Sequence, residues 1–467
     1  MFRKAHRLHF VGVGGSGMSG IAEVLVNLGY SVSGSDLVVN SATERLTTLG
    51  ARVQCGHRAS QVHGADAVVV SSAVGPDNPE VLEARRRKIP VIPRAEMLAE
   101  LMRLKHGVAV AGAHGKTTTT AMIAEVLTRG GLDPTVIIGG RVGTLASGAK
   151  LGQGEIMVAE ADESDGSFLK MKPTIAVVTN IDREHLDYYG DLDQIRNAFR
   201  SFLSRVPFYG AAIVCLDEKD VRAILPGFDR KLVSYGLVSD ADLRATDVTI
   251  SGFESCFIVY HRGTRLGQVR LNLPGRHLVC NSLAAIAVGL ELDVPFREIA
   301  DALAEFRGVD RRMQWRGEAY GGSVIDDYGH HPTEILATLA AIREGFGAPT
   351  LVVFQPHRYS RTRALLEEFG RAFFDADRVI VTDIFAAGEA PIDGIDGATV
   401  ADALVRNGHP SVVYEPRLHA IPDLLRQTIR PGDIVLTLGA GDVWKVGEEL
   451  IRSDSGSAMR AQPRRSA

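Results

Sequence analysis

The residues best equipped for chemistry are a lysine, several hydroxyls and several carboxylates gathered around glycine-rich turns. The chemistry they suit is the handling of phosphate. Gly112-Ala113-His114-Gly115-Lys116-Thr117-Thr118 follows the apolar run Val108 to Ala111 and precedes the helical pattern Ala121 to Leu127. A short buried strand, a glycine turn and a helix N-terminus bring backbone N–H groups and a favourable dipole onto an anion. Lys116 is spaced to reach the outer phosphates of a nucleotide, and the Thr117 hydroxyl to ligate Mg²⁺. The loop is a short G-x-x-G-K-T-T form, because Val110 stands where the longer pattern has its first glycine. Two apolar runs end in acids that could serve the same metal. Ile156 to Ala159 leads into Glu160-Ala161-Asp162-Glu163-Ser164-Asp165, and Ile175 to Thr179 leads into Asn180-Ile181-Asp182-Arg183-Glu184-His185. Glu160 sits where a Walker-B acid sits. His185 suits Mg²⁺ poorly, since that ion prefers oxygen, and reads equally as a capping or core histidine. Asp162, Glu163 and Asp165 read as a solvated acidic turn.

A second glycine loop lies near the start. Gly12-Val13-Gly14-Gly15-Ser16-Gly17 follows the strand Leu8 to Val11 and opens a helix carrying Ile21, Val24, Leu25 and Leu28. Asp36 stands about 20 residues further on, where a Rossmann domain holds a ribose; a turn residue is the other reading. NAD, FAD and UDP all suit such a site. Ser71 and Ser72 end a later buried strand, either at a ligand or as caps.

The elements that position these groups are mostly alternating strands and helices. Residues 243–273 depart from that rhythm, with period-two polarity and a hairpin turn at His261-Arg262-Gly263-Thr264. The final third resumes it, with strands at Val324 to Asp327, Leu351 to Phe354, Val379 to Thr382 and Ile434 to Leu438, and helices at 333–344 and 361–374. The expected fold class is α/β in three domains. Residues 1–105 form a Rossmann-like parallel sheet. Residues 106–315 form a P-loop-type ATPase domain with an antiparallel addition, and residues 316–452 a second Rossmann-like domain. The polar tail 453–467 reads as disordered.

Composition narrows the class. The chain has 467 residues, 45% of them apolar, and Lys+Arg 52 against Asp+Glu 56 gives a net charge of −4, so no nucleic-acid partner is implied. Four widely spaced cysteines, Cys55, Cys215, Cys256 and Cys280, read as free buried thiols rather than a disulfide or zinc set. No signal peptide and no membrane span is read, and a cytoplasmic location is the default.

Taken together, the motifs resemble the Mur ligases of peptidoglycan synthesis. They are G-V-G-G-S-G-M from Gly12, G-A-H-G-K-T-T-T from Gly112, E-A-D-E-S-D from Glu160 and T-N-I-D-R-E-H-L-D from Thr179. D-D-Y-G-H-H-P-T-E from Asp326 and Q-P-H-R-Y-S-R-T from Gln355 are similar to the alanine-adding branch. The resemblance implies an ATP- and Mg²⁺-dependent ligase acting on UDP-N-acetylmuramate and L-alanine. Two ions are implied, with Mn²⁺ a possible substitute, and a monomer or homodimer. It implies that Gly14, Gly15, Ser16, Gly17, Met18, Asp36 and Ser72 serve the UDP-sugar. Gly112, Ala113, His114, Gly115, Lys116, Thr117, Thr118, His277, Asn281, Arg312 and Asp327 would serve ATP, and Thr117, Glu160 and His185 the metal. Tyr328, His330, His357, Arg358 and Arg361 would face the amino acid and the sugar carboxylate. Lys116, His330, Arg358 and Arg361 would carry the chemistry, with His330 either a base or a positioning group. Leu278 departs from the asparagine usual after His277, and no lysine lies between Lys172 and Lys219 to be carbamylated near the metal. The rival readings are a tripeptide-adding recycling ligase, a dinucleotide-dependent oxidoreductase and a non-catalytic nucleotide-binding protein.

Overall fold

The computed structural model describes residues 6–71, 73–139, 148–238 and 240–460, without the side chains of Ser16, Asp187 and residues 455–460. Ser72 therefore lies outside the described residues. Three sheets carry the chain. The first has five parallel strands in the order Arg52–Cys55, Ser31–Asp36, Arg7–Val11, Ala67–Val70, Val91–Pro93. Ala67–Val70 is wholly apolar and Arg7–Val11 is buried along four of its five residues, as central parallel strands require, while the edge strands Arg52–Cys55 and Val91–Pro93 are partly exposed.

The second sheet has ten strands. At its heart, Ile175–Val178, His106–Ala111 and Ile156–Glu160 are parallel neighbours. The register sets Val110 against Glu160 and Ala111 against Val178. The phosphate loop and both acid-ended segments therefore leave the sheet at one carboxyl edge, where ligands bind in open α/β sheets. The antiparallel addition is present as Leu243–Ser251, Glu254–His261 and Thr264–Leu271. Arg262 and Gly263 supply the turn at φ 48° and 81°, as a tight two-residue hairpin demands.

The third sheet runs Gln314–Ala319, Gly322–Asp327, Ile434–Leu438, Thr350–Phe354, Arg378–Val381, Val412–Tyr414. The first of these is antiparallel to its neighbour and the rest are parallel. Leu438 lies opposite both Asp327 and Phe354, so the segments from Tyr328, Gln355 and Gly439 emerge side by side.

By contacts the chain divides into two compact units. One comprises Met1–Asp247, Phe257–Arg270 and Val279–Val309; the other Val248–Cys256, Leu271–Leu278 and Asp310–Ala467. Among the described residues no helix is long and apolar enough to cross a membrane.

Two expectations need correction. The helix expected over 361–374 is two, Tyr359–Ala364 and Leu366–Gly370, broken where Leu365 leaves helical geometry at φ −119°, ψ 22°. The segment from Ser453 is not irregular as far as Arg460, because the last helix spans Trp444–Arg460. Its apolar stripe, Val446 and Leu450, is buried against the third sheet, and Asp454 accepts the Tyr320 N–H at 3.1 Å.

Candidate active site

The phosphate loop is clamped by the neighbouring strand end. Asn180 accepts the His114 N–H through Oδ1 at 2.7 Å and donates from Nδ2 to the His114 carbonyl at 3.0 Å. The Thr179 hydroxyl donates to the same carbonyl at 2.6 Å. His114 Nε2 meets Asp182 Oδ2 at 2.9 Å. Gly115 then turns the chain at φ 79° to start the helix Lys116–Arg129, with no side chain capping its first amides. A Cβ on Gly115 would stand 2.8 Å from Asn281 Oδ1. Asn281, 7% exposed, thus packs on the phosphate loop itself. A Gly115→Ala variant combines left-handed strain of about 1 kcal/mol with this clash. It is expected to weaken ATP about 100-fold in a nucleotide titration, as displacing a positioned loop by an ångström does.

Lys116 lies at the focus. Its ammonium donates to the carbonyls of Gly112 at 2.6 Å and Ala113 at 3.2 Å, and to Glu163 Oε1 at 2.8 Å. Against its burial, the charges of Glu163 and Glu160 hold its pKa above the usual lysine value. Glu163 is no solvated turn residue: it is 3% exposed, and burial pushes its carboxyl up to about 7 despite Lys116. Its second oxygen, Oε2, is buried without a hydrogen-bond partner. Asp165 is exposed as expected, while Asp162 accepts Arg94 at 2.8 Å.

The expected metal set falls into two adjacent groups. Thr117 donates its hydroxyl to Glu160 Oε2 at 3.1 Å, which also accepts the Gly139 N–H at 3.0 Å. His185 lies instead with Glu163 and Glu184, 3.7 Å from an oxygen of each, with donor atoms of all three within 4.8 Å. The orphaned oxygen of Glu163 and the hard-oxygen donors around Lys116 fit a magnesium ion. Thr118 is buried, at 4% exposure.

At the first glycine loop, Asp36 turns inward. Its Oδ2 accepts the Gly14 N–H at 2.8 Å and its Oδ1 the Val38 N–H at 3.2 Å, so it shapes the loop. Gly15 precedes the helix Ser16–Asn27, again without a side-chain cap. A Cβ on Gly17 would run into the Arg94 guanidinium, which pairs with Asp162. Met18 is buried in the core, so only its backbone can face a ligand.

In the other unit, Asp327 is 4% exposed and holds a turn together. It accepts the Met313 N–H through Oδ2 and the Gly329 N–H through Oδ1, both at 2.8 Å, with burial pushing its carboxyl up to about 6 against the pull of Arg312. Arg312 pairs with Glu334 at 3.3 Å. Tyr328 lies between the guanidinium groups of Arg311 and Arg312, 5.1 Å from each. His330 packs edge-on to Tyr328 and to His357, with ring centroids 5.6 and 5.5 Å away. His330 Nδ1 lies 3.1 Å from the Tyr328 carbonyl, so that nitrogen carries the proton and Nε2 is the basic one. His357 stacks on Phe385, and burial with His330 and Arg361 lowers its pKa to about 3. Arg361 approaches His357 Nδ1 at 3.3 Å. Arg358 holds φ 70° and donates to Glu389 at 2.6 Å, while Ser360 donates to the same carboxylate at 2.6 and 2.9 Å. Burial and Arg312 lower His277 to about 4, and Leu278 beside it is buried.

Sequence reasoning gave Glu163 only as a solvated turn residue and assigned no role to Asn180, Glu184, Glu389 or Phe385. The first three stand inside motifs that had been noted, and their strand-end position was the available signal. Glu389 and Phe385 carried none.

Three family descriptions match in order: "Mur ligase family, catalytic domain" over residues 7–106, "Mur ligase middle domain" over 110–289 and "Mur ligase, glutamate ligase domain" over 311–441. The UDP-N-acetylmuramate–L-alanine ligase of Geobacter sp. (strain M21) is 56% identical over 97% of this chain and 98% of its own. That of Desulfatibacillum aliphaticivorans is 56% identical over 97% and 100%. The crystal structure of the UDP-N-acetylmuramate–alanine ligase from Thermotoga maritima matches with TM-score 0.81 and 30% identity, covering 97% of this chain and 99% of that one. With its two glycine loops, its acid-ended strands and these relatives, the chain belongs to the Mur ligase family.

Proposed function

We infer that this protein is an ATP-dependent ligase that joins L-alanine to the lactyl carboxylate of UDP-N-acetylmuramate, releasing ADP and phosphate for peptidoglycan synthesis. The observation that carries this reading is the set Lys116–Glu163 and Thr117–Glu160 at the phosphate loop of a chain whose near full-length relatives bear that activity as their name. A carboxylate is a poor acyl donor at neutral pH. Its attack on the γ-phosphorus of ATP gives an acyl phosphate, which the alanine amine then opens with loss of phosphate. Lys116 places its charge on the phosphoryl oxygens, where charge grows in the transition state. Thr117 and Glu160 would hold Mg²⁺, and Glu163, Glu184 and His185 a second ion; the metal, or Mn²⁺ in its place, would supply further charge neutralisation. Gly112 to Thr118 and Asn281 serve ATP, and the resemblance assigns His277, Arg312 and Asp327 to the same ligand.

The loop Gly14 to Met18, shaped by Asp36, binds the UDP-sugar. Arg361 and Arg358 hold carboxylates by their forked donors, and Nε2 of His330 accepts the amine proton. Tyr328 and His357 pack beside His330. Domains of 1–105, 106–315 and 316–452 carry UDP-sugar, ATP and amino acid, in a cytoplasmic enzyme.

Glu389 orients Arg358 and Ser360. Against the effect of its burial, their hydrogen bonds hold its carboxyl below the usual range. A Glu389→Ala variant is expected to raise KM for alanine about tenfold or more, with a smaller fall in kcat, as loss of a positioning group does.

The test is phosphate release with ATP, Mg²⁺ and UDP-N-acetylmuramate, with and without L-alanine. Release that requires both, with a product heavier by one alanyl residue, is the expected result. Release with a tripeptide but not with alanine overturns the amino-acid assignment, and silence with every acceptor overturns the ligase reading.

A further inference from the structure

Cys215 and Cys280 are 65 residues apart in sequence, which is why they read as unrelated thiols. The fold brings them together. Cys215 ends the strand Ala211–Cys215, and Asp217 follows two residues later. Cys280 lies near the start of the helix Arg276–Glu291. The two sulfurs and a carboxylate oxygen of Asp217 all lie within 4.8 Å of one another, and the Cys280 thiol donates to Asp217 Oδ2 at 3.4 Å. In a tetrahedral zinc site, with Zn–S about 2.3 Å and Zn–O about 2.0 Å, neighbouring ligand atoms stand about 3.5 to 3.8 Å apart. The carboxylate is also oriented from behind. It accepts the Leu237 N–H at 2.8 and 3.1 Å and the Val238 N–H at 3.1 Å, the kind of outer support that fixes a metal ligand. Cys215 is 3% exposed, so the pair is shielded on one side.

We propose that Cys215, Asp217 and Cys280 form a site for a thiophilic divalent cation, Zn²⁺ or Cd²⁺, whose occupancy acts on the phosphate loop through Asn281. Two thiolates and one carboxylate suit a soft or borderline ion and reject Mg²⁺, which demands oxygen in octahedral array. Three protein ligands leave a fourth position for water. Cys280 immediately precedes Asn281, whose amide packs on Gly115. Drawing Cys280 toward Cys215 and Asp217 shifts that amide, which stands beside Gly115. The hydrogen bond with Cys215, burial and Asp217 push the Cys280 thiol up from its ordinary value.

The binding test uses the full chain and Cd²⁺ alone, and it stands whether or not the ligase reading does. One equivalent of Cd²⁺ is expected to give a thiolate-to-cadmium charge-transfer band that is absent in Cys280→Ser and at least about tenfold weaker in apparent affinity in Asp217→Asn. A band that persists in Cys280→Ser, or follows the exposed Cys55, overturns the site. The functional arm measures phosphate release under excess Mg²⁺. Wild type loses activity as Zn²⁺ is added; Cys280→Ser keeps its basal rate and is at least about tenfold less sensitive. Equal sensitivity of the two overturns the link to the phosphate loop. Should Cys280→Ser not fold, wild-type Cys280 is alkylated with iodoacetamide and mapped by mass. Protection by Cd²⁺ supports the site, and no protection overturns it.

Discussion

A Lys116→Ala variant is expected to lose phosphate release by a factor of about 100 to 1000 or more in kcat, on the order of 3 kcal/mol of transition-state stabilisation, while remaining folded. The activity loss follows from position. Lys116 is the cation at the start of the loop helix, and its ammonium is fixed by two loop carbonyls and Glu163. Retention of the fold follows from Glu163. Its carboxyl already titrates at about 7, because burial outweighs the pull of Lys116. With the lysine gone its pKa rises further, the side chain is neutral at working pH, and no bare charge is left buried. A thermal melt run beside the assay separates the two effects. An activity loss matched by collapse of the melt would make Lys116 a structural residue first. Lys116→Arg is expected to rescue little, since a planar fork does not fit between the Gly112 and Ala113 carbonyls as a compact ammonium does.

Asp327→Ala is expected to cost the unit containing the third sheet about 2 to 6 kcal/mol and to depress activity with it. Two buried N–H groups, of Met313 and Gly329, lose their acceptor, at about 1 to 3 kcal/mol each. The turn they belong to is strained. Arg311 and Met313 stand at φ 60° and 47°, conformations that L residues adopt only when held. Without Asp327 the turn relaxes and Arg312, paired with Glu334 and packed on Tyr328, leaves its place.

The effect has a pH signature. Burial raises the Asp327 carboxyl from 3.8 to about 6, so between those values the folded chain holds a proton that the unfolded chain has released. The folded state therefore binds more protons there, and the contribution of this group to stability is present below about pH 4 and lost as pH rises through 6. The stability difference between wild type and Asp327→Ala should shrink by on the order of 3 kcal/mol from pH 4 to pH 7, a shift of about two units at 1.36 kcal/mol each. Denaturant unfolding of that unit at the two values measures it. A difference that widens with pH would mean that Arg312, rather than burial, sets the carboxyl.

The sequence by itself determined the fold class and the strand ends at which its glycine loops and acidic segments leave the sheets. The run Val108 to Ala111, the glycines and Lys116 are contiguous, so strand, turn and helix follow from local rules. Glu160 and Asp327 end apolar runs in separate sheets, and each parallel sheet puts such ends on its own carboxyl edge. Thr117 met Glu160 as that rule requires. Tertiary structure alone decided which polar groups meet. Asp162, Glu163 and Asp165 look alike in sequence, yet Asp165 is exposed and Glu163 is buried against Lys116. His185 was expected beside Glu160 and stands with Glu163 and Glu184, because a left-handed turn at φ 55° sets its direction. Asp36 turned inward to Gly14, and Glu389 reached back 31 residues to Arg358. The closing helix passed Ser453, because what holds it is a stripe of Val446 and Leu450 that only the third sheet can bury. Periodicity reports which face of an element is buried. The partner of a buried charge depends on strand register and on the path of loops far away in sequence, and those are fixed only when the sheets form.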